Sequence, residues 1–355
     1  MDRRPGLLKK AQLELFAKAF DRQIERHNLR TLFWECTLRC NAARRHCGSD
    51  CRATAGLKDM PAADFLRVVD SIRPHVDPHK LFVIFTGGEP LVRKDLEKVG
   101  LELYKREFPW GIVTNGILLS RARFDSLLAS GIHTATVSLD GFKDDHIWMR
   151  GNPLAFDGAV GAIKMMVSEP GFIFDVVTCV NQRNFGSLAA LRDFLIDLGV
   201  RRWRIFTVFP VGRAANEPLL QISDEEFREL MDFIVETRRS GKIDLQFACE
   251  GFLGSYEGLV RESFFHCDAG INVASVLADG SISACPSIRS EFYQGNIYKD
   301  DFWTVWNEKF HMYRDRSWAR SGECADCDMF RYCRGNGLHL HAPDRSLLLC
   351  HYHRL

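Results

Sequence analysis

The sequence has almost no charge imbalance: 47 Lys and Arg against 46 Asp and Glu give a formal net charge of +1. Nothing in that balance calls for a nucleic acid or an anionic membrane surface as partner. Long hydrophobic runs are missing too. No stretch approaches the length needed to span a bilayer, and Met1 to Phe20 has no apolar signal core. Internal repeats and low-complexity segments are also lacking across the 355 residues. These absences lead to the expectation of a cytoplasmic protein with no membrane partner. Thiols stay reduced there, so the twelve cysteines read as ligands more readily than as disulfide partners.

Four of those cysteines, Cys36, Cys40, Cys47 and Cys51, fall within sixteen positions. They follow Thr31-Leu32-Phe33-Trp34, a β-prone run too short for a helix, which reads as a strand leading into a loop. A free cysteine is often a small packed hydrophobe. Arg39, Arg44, Arg45 and Asp50 make this loop too polar for that. Soft thiolates gathered on a loop point to iron–sulfur or zinc.

Along the chain, Leu8, Ala11, Leu15, Ala19 and Phe20 recur at helical spacing within Leu8 to His27. Further apolar strands are expected at Leu81 to Phe85, Gly111 to Thr114, Thr134 to Leu139, Phe172 to Val180 and Trp203 to Phe209. Helical patterns around Phe65 to Val69, Leu96 to Tyr104, Phe124 to Leu128, Phe156 to Met166 and Leu188 to Leu198 alternate with them. The alternation predicts βα units and a parallel α/β sheet, a full or partial barrel, with chemistry where strands end. After the helical pattern Ser223 to Arg239 the composition shifts, and six cysteines follow from His266 onward. The expected organisation is an N-terminal helix (1–30), a barrel (31–250) and a small cysteine-rich C-terminal domain (251–355). Within the last, Asp279-Gly280 between Val273 to Leu277 and Ile282 reads as a hairpin turn.

Thr86-Gly87-Gly88-Glu89-Pro90 follows the strand Leu81 to Phe85. Glycines let a ligand approach the backbone, and Glu89 can accept from an ammonium. Together with the cysteine loop this ordering resembles the radical SAM superfamily, whose members carry CxxxCxxC after the first strand and a GGEP-like motif after the second. The resemblance implies a partial (β/α)6 barrel, a [4Fe-4S] cluster and S-adenosylmethionine, from which a 5′-deoxyadenosyl radical is made. It also implies roles. Cys40 and Cys47 would be the first and third cluster ligands, and His46 would lie near the adenine. Gly87, Gly88 and Glu89 would hold the methionyl ammonium. Ser138 and Asp140, in Ser138-Leu139-Asp140-Gly141, would contact ribose or carboxylate, and Arg150 would pair with the methionyl carboxylate. Pro210-Val211-Gly212-Arg213 would lie near the adenine. One position departs from the pattern. The middle ligand should stand at position 44, which is Arg, and a guanidinium has no lone pair for a metal. Cys36, anchored at the end of the strand, is preferred over Cys51 as its replacement.

The C-terminal region resembles the SPASM extension of the same superfamily. Cys267, Gly280 and Cys285 match its opening, and Cys324-x2-Cys327-x5-Cys333 with Cys350 match its close. By that resemblance Cys324, Cys327, Cys333 and Cys350 hold one auxiliary cluster, although a four-thiolate zinc site has the same spacing. A second auxiliary site is incomplete, because its last cysteine is replaced by Gly337. Cys267 and Cys285 remain, with Cys249, His266, His339 or His341 as substitutes. Cys179 and Cys249 have no motif context, and Cys179 reads as packing.

The implied activity is that of an oxidoreductase modifying a peptide or protein side chain, served by an electron donor. Pro286 replaces the acidic residue expected for sulfatase maturation. The Trp34 to Cys51 stretch is similar to SPASM proteins thought to act with a small lipoprotein, which adds such a partner to the expectations. The competing reading is a non-catalytic descendant that binds a partner or cofactor, for which Arg44 and Gly337 speak.

Overall fold

The strand that leads into the cysteine loop, β1 (Thr31–Thr37), is the line from which the sheet grows in both directions. The structure is a computed structural model describing residues 3–49, 51–54, 56–288 and 292–355. Asp50, counted above among the polar loop residues, lies outside the described residues. On one side of β1 run β2 (Phe82–Gly87), β3 (Trp110–Thr114), β4 (Ile132–Ser138), β5 (Ile173–Val180), β6 (Arg202–Thr207) and β7 (Asp244–Phe247), all parallel. On the other side β8 (Val273–Val276) pairs parallel to β1, followed by antiparallel β9 (Ser281–Ser283) and β10 (Gly295–Asn296). The ten-stranded order β10-β9-β8-β1-β2-β3-β4-β5-β6-β7 leaves β10 and β7 as separate edges, so the barrel is partial. The sheet therefore continues across the boundary expected near residue 250.

The six expected strands correspond to β1 through β6. Their ends move where turn residues intervene: β6 stops at Thr207, three residues before Pro210, which has no N–H for a ladder. Asp279-Gly280 turns β8 into β9, with Gly280 at φ +86° and the Ser281 N–H on Asp279 Oδ1 at 2.9 Å. β7 escaped the sequence reading because four residues carry little periodicity.

Helices cover the sheet. In α1 (Leu7–Arg26) the helix is as expected, but its buried face differs. Leu13, Ala17 and Phe20 are buried, while Leu8 and Leu15 are 77% and 70% exposed. The reason is where α1 docks. Leu13 packs with Phe252 and Phe265 of the C-terminal region, Phe20 meets His266 at 4.9 Å between ring centroids, and Glu14 and Asp21 pair with Arg331 and Arg334. The next helix, α2 (Ala62–Ile72), buries Phe65, Val68, Val69 and Ile72, one stripe at helical spacing. Phe65 stacks on Trp34 of β1 at 4.4 Å, which puts Trp34 and its same-face neighbour Cys36 on the helix side of the sheet. The pairs α3 (Leu96–Lys105), α4 (Arg121–Ala129), α5 (Lys143–Arg150) and α6 (Ala155–Val167) follow, then the single turn α7 (Gln182–Phe185) and α8 (Leu188–Asp197). Last in the barrel, α9 (Asp224–Ser240) is the most completely capped. Ser223 and Glu226 form a capping box, three acidic residues fill the first turn, two arginines fill the last, and Gly241 ends it at φ +65°.

Candidate metal and cofactor site

The cysteine loop is closed on itself just beyond β1. The Cys40 N–H donates to the Arg52 carbonyl at 2.8 Å, and the Arg52 N–H donates to the Leu38 carbonyl at 3.3 Å. Residue 51 therefore returns to the start of the loop. Cys40, Cys47 and Cys51, at 3%, 3% and 1% exposure, pack together with Ala42 and Leu38. The Cys51 N–H points to Cys47 Sγ at 3.3 Å, and Arg44 Nη2 lies 3.9 Å from the same sulfur. A hydrogen bond from Cys51 and the nearby Arg44 charge hold the Cys47 thiol down at about 4 against the cost of burial, and the shared proton pushes Cys51 up.

Cys36 stands elsewhere. It belongs to the main core with Trp34, and its Sγ donates to the Thr86 carbonyl at 3.3 Å. Burial pushes its thiol well above the ordinary range. The preference for Cys36 as the replacement ligand does not fit this placement. Alternation along β1 carried the signal: Glu35 faces the cavity described below, so Cys36 faces away.

The glycines after β2 press against the base of this loop. Gly87 has φ +128°, and a Cβ there would fall 2.2 Å from the Thr37 carbonyl oxygen; at Gly88 it would fall 2.1 Å from that of Arg39. The Gly88 and Glu89 N–H groups donate to those two carbonyls at 2.7 and 2.9 Å. Glu89 is 1% exposed, and its carboxylate accepts from the Leu91 N–H (3.1 Å), Thr114 Oγ1 (2.7 Å) and the Asn115 N–H (2.7 Å). Burial pushes its carboxyl up, and the three donors oppose that. Asn115 in turn donates to Asn41 Oδ1 at 2.7 Å, which ties β3 to the loop.

At the end of β4, Asp140 is fully buried. Its Oδ2 accepts from Arg150 Nε at 2.6 Å, and its Oδ1 accepts from the Cys179 N–H at 2.9 Å. Burial opposes the charge of Asp140, yet Arg150, with His46 and His146, holds the carboxyl down at about 2. Burial, then Arg150, pushes His46 down to about 3, and its Nδ1 has no hydrogen-bond partner. Arg213 closes the arrangement from the loop after β6, donating to the Arg44 carbonyl at 2.8 Å and the Cys51 carbonyl at 2.9 Å.

A cavity of about 530 Å³ opens here. Arg44, His46, Cys47 and Gly87 line one side, and Pro286, His339 and His341 of the C-terminal region line another. Gly88, Glu89, Ser138, Asp140 and Arg150 are not part of its wall.

In the C-terminal region Cys267, Cys327, Cys333 and Cys350 share one apolar cluster with Met329, Phe265 and Tyr352. Burial, with Cys350 and Cys327 alongside, pushes the Cys324 thiol up to about 11. Cys249 is likewise pushed up to about 12 by burial and by Cys285 and Cys267, which places those three near one another. Position 337 explains its own missing thiol: a Cβ on Gly337 would fall 2.5 Å from the Glu250 carbonyl oxygen and 2.6 Å from His339 Cε1. The His339 imidazole fills that space. His266 is held by Asp268 at 3.2 Å, and His341 Nδ1 lies 3.3 Å from the Gly337 carbonyl.

Two groups carried no sequence signal. Glu250 and His351, both fully buried, meet at 3.0 Å, and Glu250 also accepts from the Thr207 N–H at 2.6 Å. Donor atoms of Glu323, Cys350 and His353 lie within 4.8 Å of one another. Glu250 and His351 are 101 positions apart and Glu323 lies 27 before Cys350, so neither pairing leaves a spacing to read, although Cys350 itself was singled out.

A partial parallel barrel with thiols gathered beyond its first strand, and a second gathering in its C-terminal region, defines a protein built around iron–sulfur clusters. The family model described as the radical SAM superfamily matches residues 34–195, and that of the SPASM iron–sulfur cluster-binding domain matches residues 267–328. The chain is a radical SAM protein with a C-terminal SPASM domain, and that membership implies a [4Fe-4S] cluster, S-adenosylmethionine and auxiliary clusters. An AdoMet-dependent heme synthase of Oleidesulfovibrio alaskensis is 25% identical over 328 residues, covering 86% of this chain and 82% of that protein. Among solved structures, anSMEcpe with bound AdoMet and Cp18Cys peptide matches with a TM-score of 0.71 at 18% identity, over 92% of this chain and 94% of its own. Streptococcus suis SuiB bound to S-adenosylmethionine matches with a TM-score of 0.67 at 17% identity, over 88% of this chain and 75% of its own. Both likenesses show the fold.

The donor chemistry fits such a cluster in the barrel. Three buried thiols pack in one cluster of side chains, and one of them, Cys47, lines the open cavity. Among the described residues no helix is long and apolar enough to cross a membrane.

Proposed function

We propose that this chain is a radical S-adenosylmethionine enzyme that modifies a side chain of a peptide or protein. The cavity of about 530 Å³ between the cysteine loop and the SPASM region carries the reading. Pockets of this size hold one small molecule. With the cofactor in place, a substrate enters as a protruding side chain more readily than as a whole macrocycle. S-adenosylmethionine, when bound, supplies hydrogen abstraction. The chain's own residues do the rest. Cys40 and Cys47 serve as cluster ligands, and Gly87 keeps the backbone open beside them. Glu89 and Asp140 hold the loops after β2 and β4, and through them the cofactor's ammonium and ribose side. Phe209, Ile288 and Phe292 in the cavity wall exclude water. Burial lowers His339 to about 3 and His341 to about 4, so both imidazoles face the substrate neutral at pH 7. Cys324, Cys327, Cys333 and Cys350 would hold an auxiliary cluster, which would supply an electron-transfer site to be served by an external electron donor in a reducing cytoplasm. A small lipoprotein is one candidate substrate.

A second reading, modification of a tetrapyrrole, is favoured by the relative named as a heme synthase. Anaerobic, reduced protein tells them apart through 5′-deoxyadenosine, measured with a candidate peptide or lipoprotein and with an iron porphyrin bearing propionates. Turnover with a polypeptide alone supports the proposal, and turnover with the porphyrin alone replaces it. No 5′-deoxyadenosine under any condition, with binding retained, would mark a non-catalytic descendant.

A further inference from the structure

We infer that Cys51 supplies the third protein thiolate of the barrel cluster, in place of position 44, with Arg44 beside it as a fixed cation. The inference rests on the reading above that the barrel carries a cluster.

Loop closure makes Cys51 available. Because Cys40 and Leu38 pair with Arg52, Cys51 ends beside Cys40 although eleven positions separate them. Its N–H reaches Cys47 Sγ at 3.3 Å, the type of backbone contact that orients a thiolate toward a metal. All three thiols are withdrawn from solvent in one cluster of side chains. Arg213 then fixes the carbonyls of residues 44 and 51 together, so the loop is held at both points by one guanidinium. Cys36 is excluded by its face of β1 and by its bond to the Thr86 carbonyl on the core side.

Arg44 completes the argument. It stands where the family's middle thiolate is expected, it cannot ligate, and its guanidinium is 3.9 Å from Cys47 Sγ at the cavity wall. A fixed positive charge beside a cluster of thiolates offsets their negative charge and favours the reduced state. The ligand pattern of this chain is then Cys40-x6-Cys47-x3-Cys51.

The test uses the full chain reconstituted anaerobically. Iron and sulfide are counted, and the electron paramagnetic resonance of the reduced protein is recorded with and without S-adenosylmethionine. The given chain should show a signal that S-adenosylmethionine perturbs, alongside that of the SPASM cluster. Cys51→Ala should lose one cluster equivalent and that signal, whereas Cys36→Ala should keep both. The double variant Arg44→Cys/Cys51→Ala should regain them, which separates lost ligation from lost folding. Arg44→Gln should keep the iron and shift the midpoint potential of that cluster to a more negative value. Full retention of iron and signal in Cys51→Ala overturns the inference. So does a double variant that stays empty, or a given chain that gains a cluster only as Arg44→Cys. If no form, Arg44→Cys included, loads the barrel or responds to S-adenosylmethionine, the functional reading itself fails.

Discussion

Arg150 Nε lies 2.6 Å from Asp140 Oδ2, and the two side chains are 2% and 0% exposed. Sequence resemblance expects Arg150 to meet the cofactor's carboxylate. In the structure it already has a carboxylate, placed by the end of β4. Asp140→Ala leaves a buried guanidinium without its partner, a loss of about 3–5 kcal/mol. Urea unfolding should show it, and Asp140→Asn combined with Arg150→Met should recover part of the loss.

Acid should unfold the protein in two windows. Burial lowers His146 from 6.5 to about 4, so neutral His146 contributes stability above pH 6.5 that is lost as the pH falls toward 4. Asp140, lowered from 3.8 to about 2, contributes stability above 3.8 that is lost as the pH falls toward 2. Denaturant midpoints recorded across that range should fall first in the upper window. His146→Gln should make the fall in the upper window shallower without abolishing it, because His46, His339 and His341 are lowered across the same range. It should also move the lower window slightly upward, since His146 helps to hold Asp140 down.

Arg213→Ala removes the two donors that hold the Arg44 and Cys51 carbonyls at 2.8 and 2.9 Å. Each such bond to a charged donor contributes about 1.5–3 kcal/mol. The variant should lose barrel iron several times faster to a chelator than the parent, while the absorption of the SPASM cluster persists.

Restoring the missing SPASM cysteine should not be free of cost. Gly337→Cys places a Cβ 2.5 Å from the Glu250 carbonyl oxygen and 2.6 Å from the His339 ring. Overpacking of this kind costs about 1–3 kcal/mol. His339→Ala added to it relieves only the ring contact, so thermal unfolding should show a partial recovery.

The parallel strands were legible because each is a continuous apolar run, long enough to stand out from the amphipathic helices between them. The buried face of α1 was not. Phe20 of the expected stripe is buried against His266, but Leu8 and Leu15 of the same stripe are exposed, and Leu13, outside it, packs with Phe252 and Phe265. Motif order pointed to the neighbourhood of Cys40, Cys47 and Gly87: Cys40 packs with Cys47, and Cys47 and Gly87 line the cavity. It could not show that Arg52 folds residue 51 back beside Cys40, because that pairing depends on two backbone hydrogen bonds. The bonds of Glu89 to Thr114 and Asn115 were hidden for the same reason, since β3 lies 25 residues further on.

The pairing of β1 with both β2 and β8 has a consequence for how the chain is made. Thr31 meets Phe82 soon after it leaves the ribosome, but its other neighbour, Val273, is synthesised last among the strands that flank it. Until then β1 presents an unpaired edge beside the cysteines, open to pairing with any extended segment. A chain cut before residue 273 never closes that edge. Such a fragment should gather into aggregates, and a chaperone that covers exposed strands should bind the nascent chain most strongly in the interval between β2 and β8.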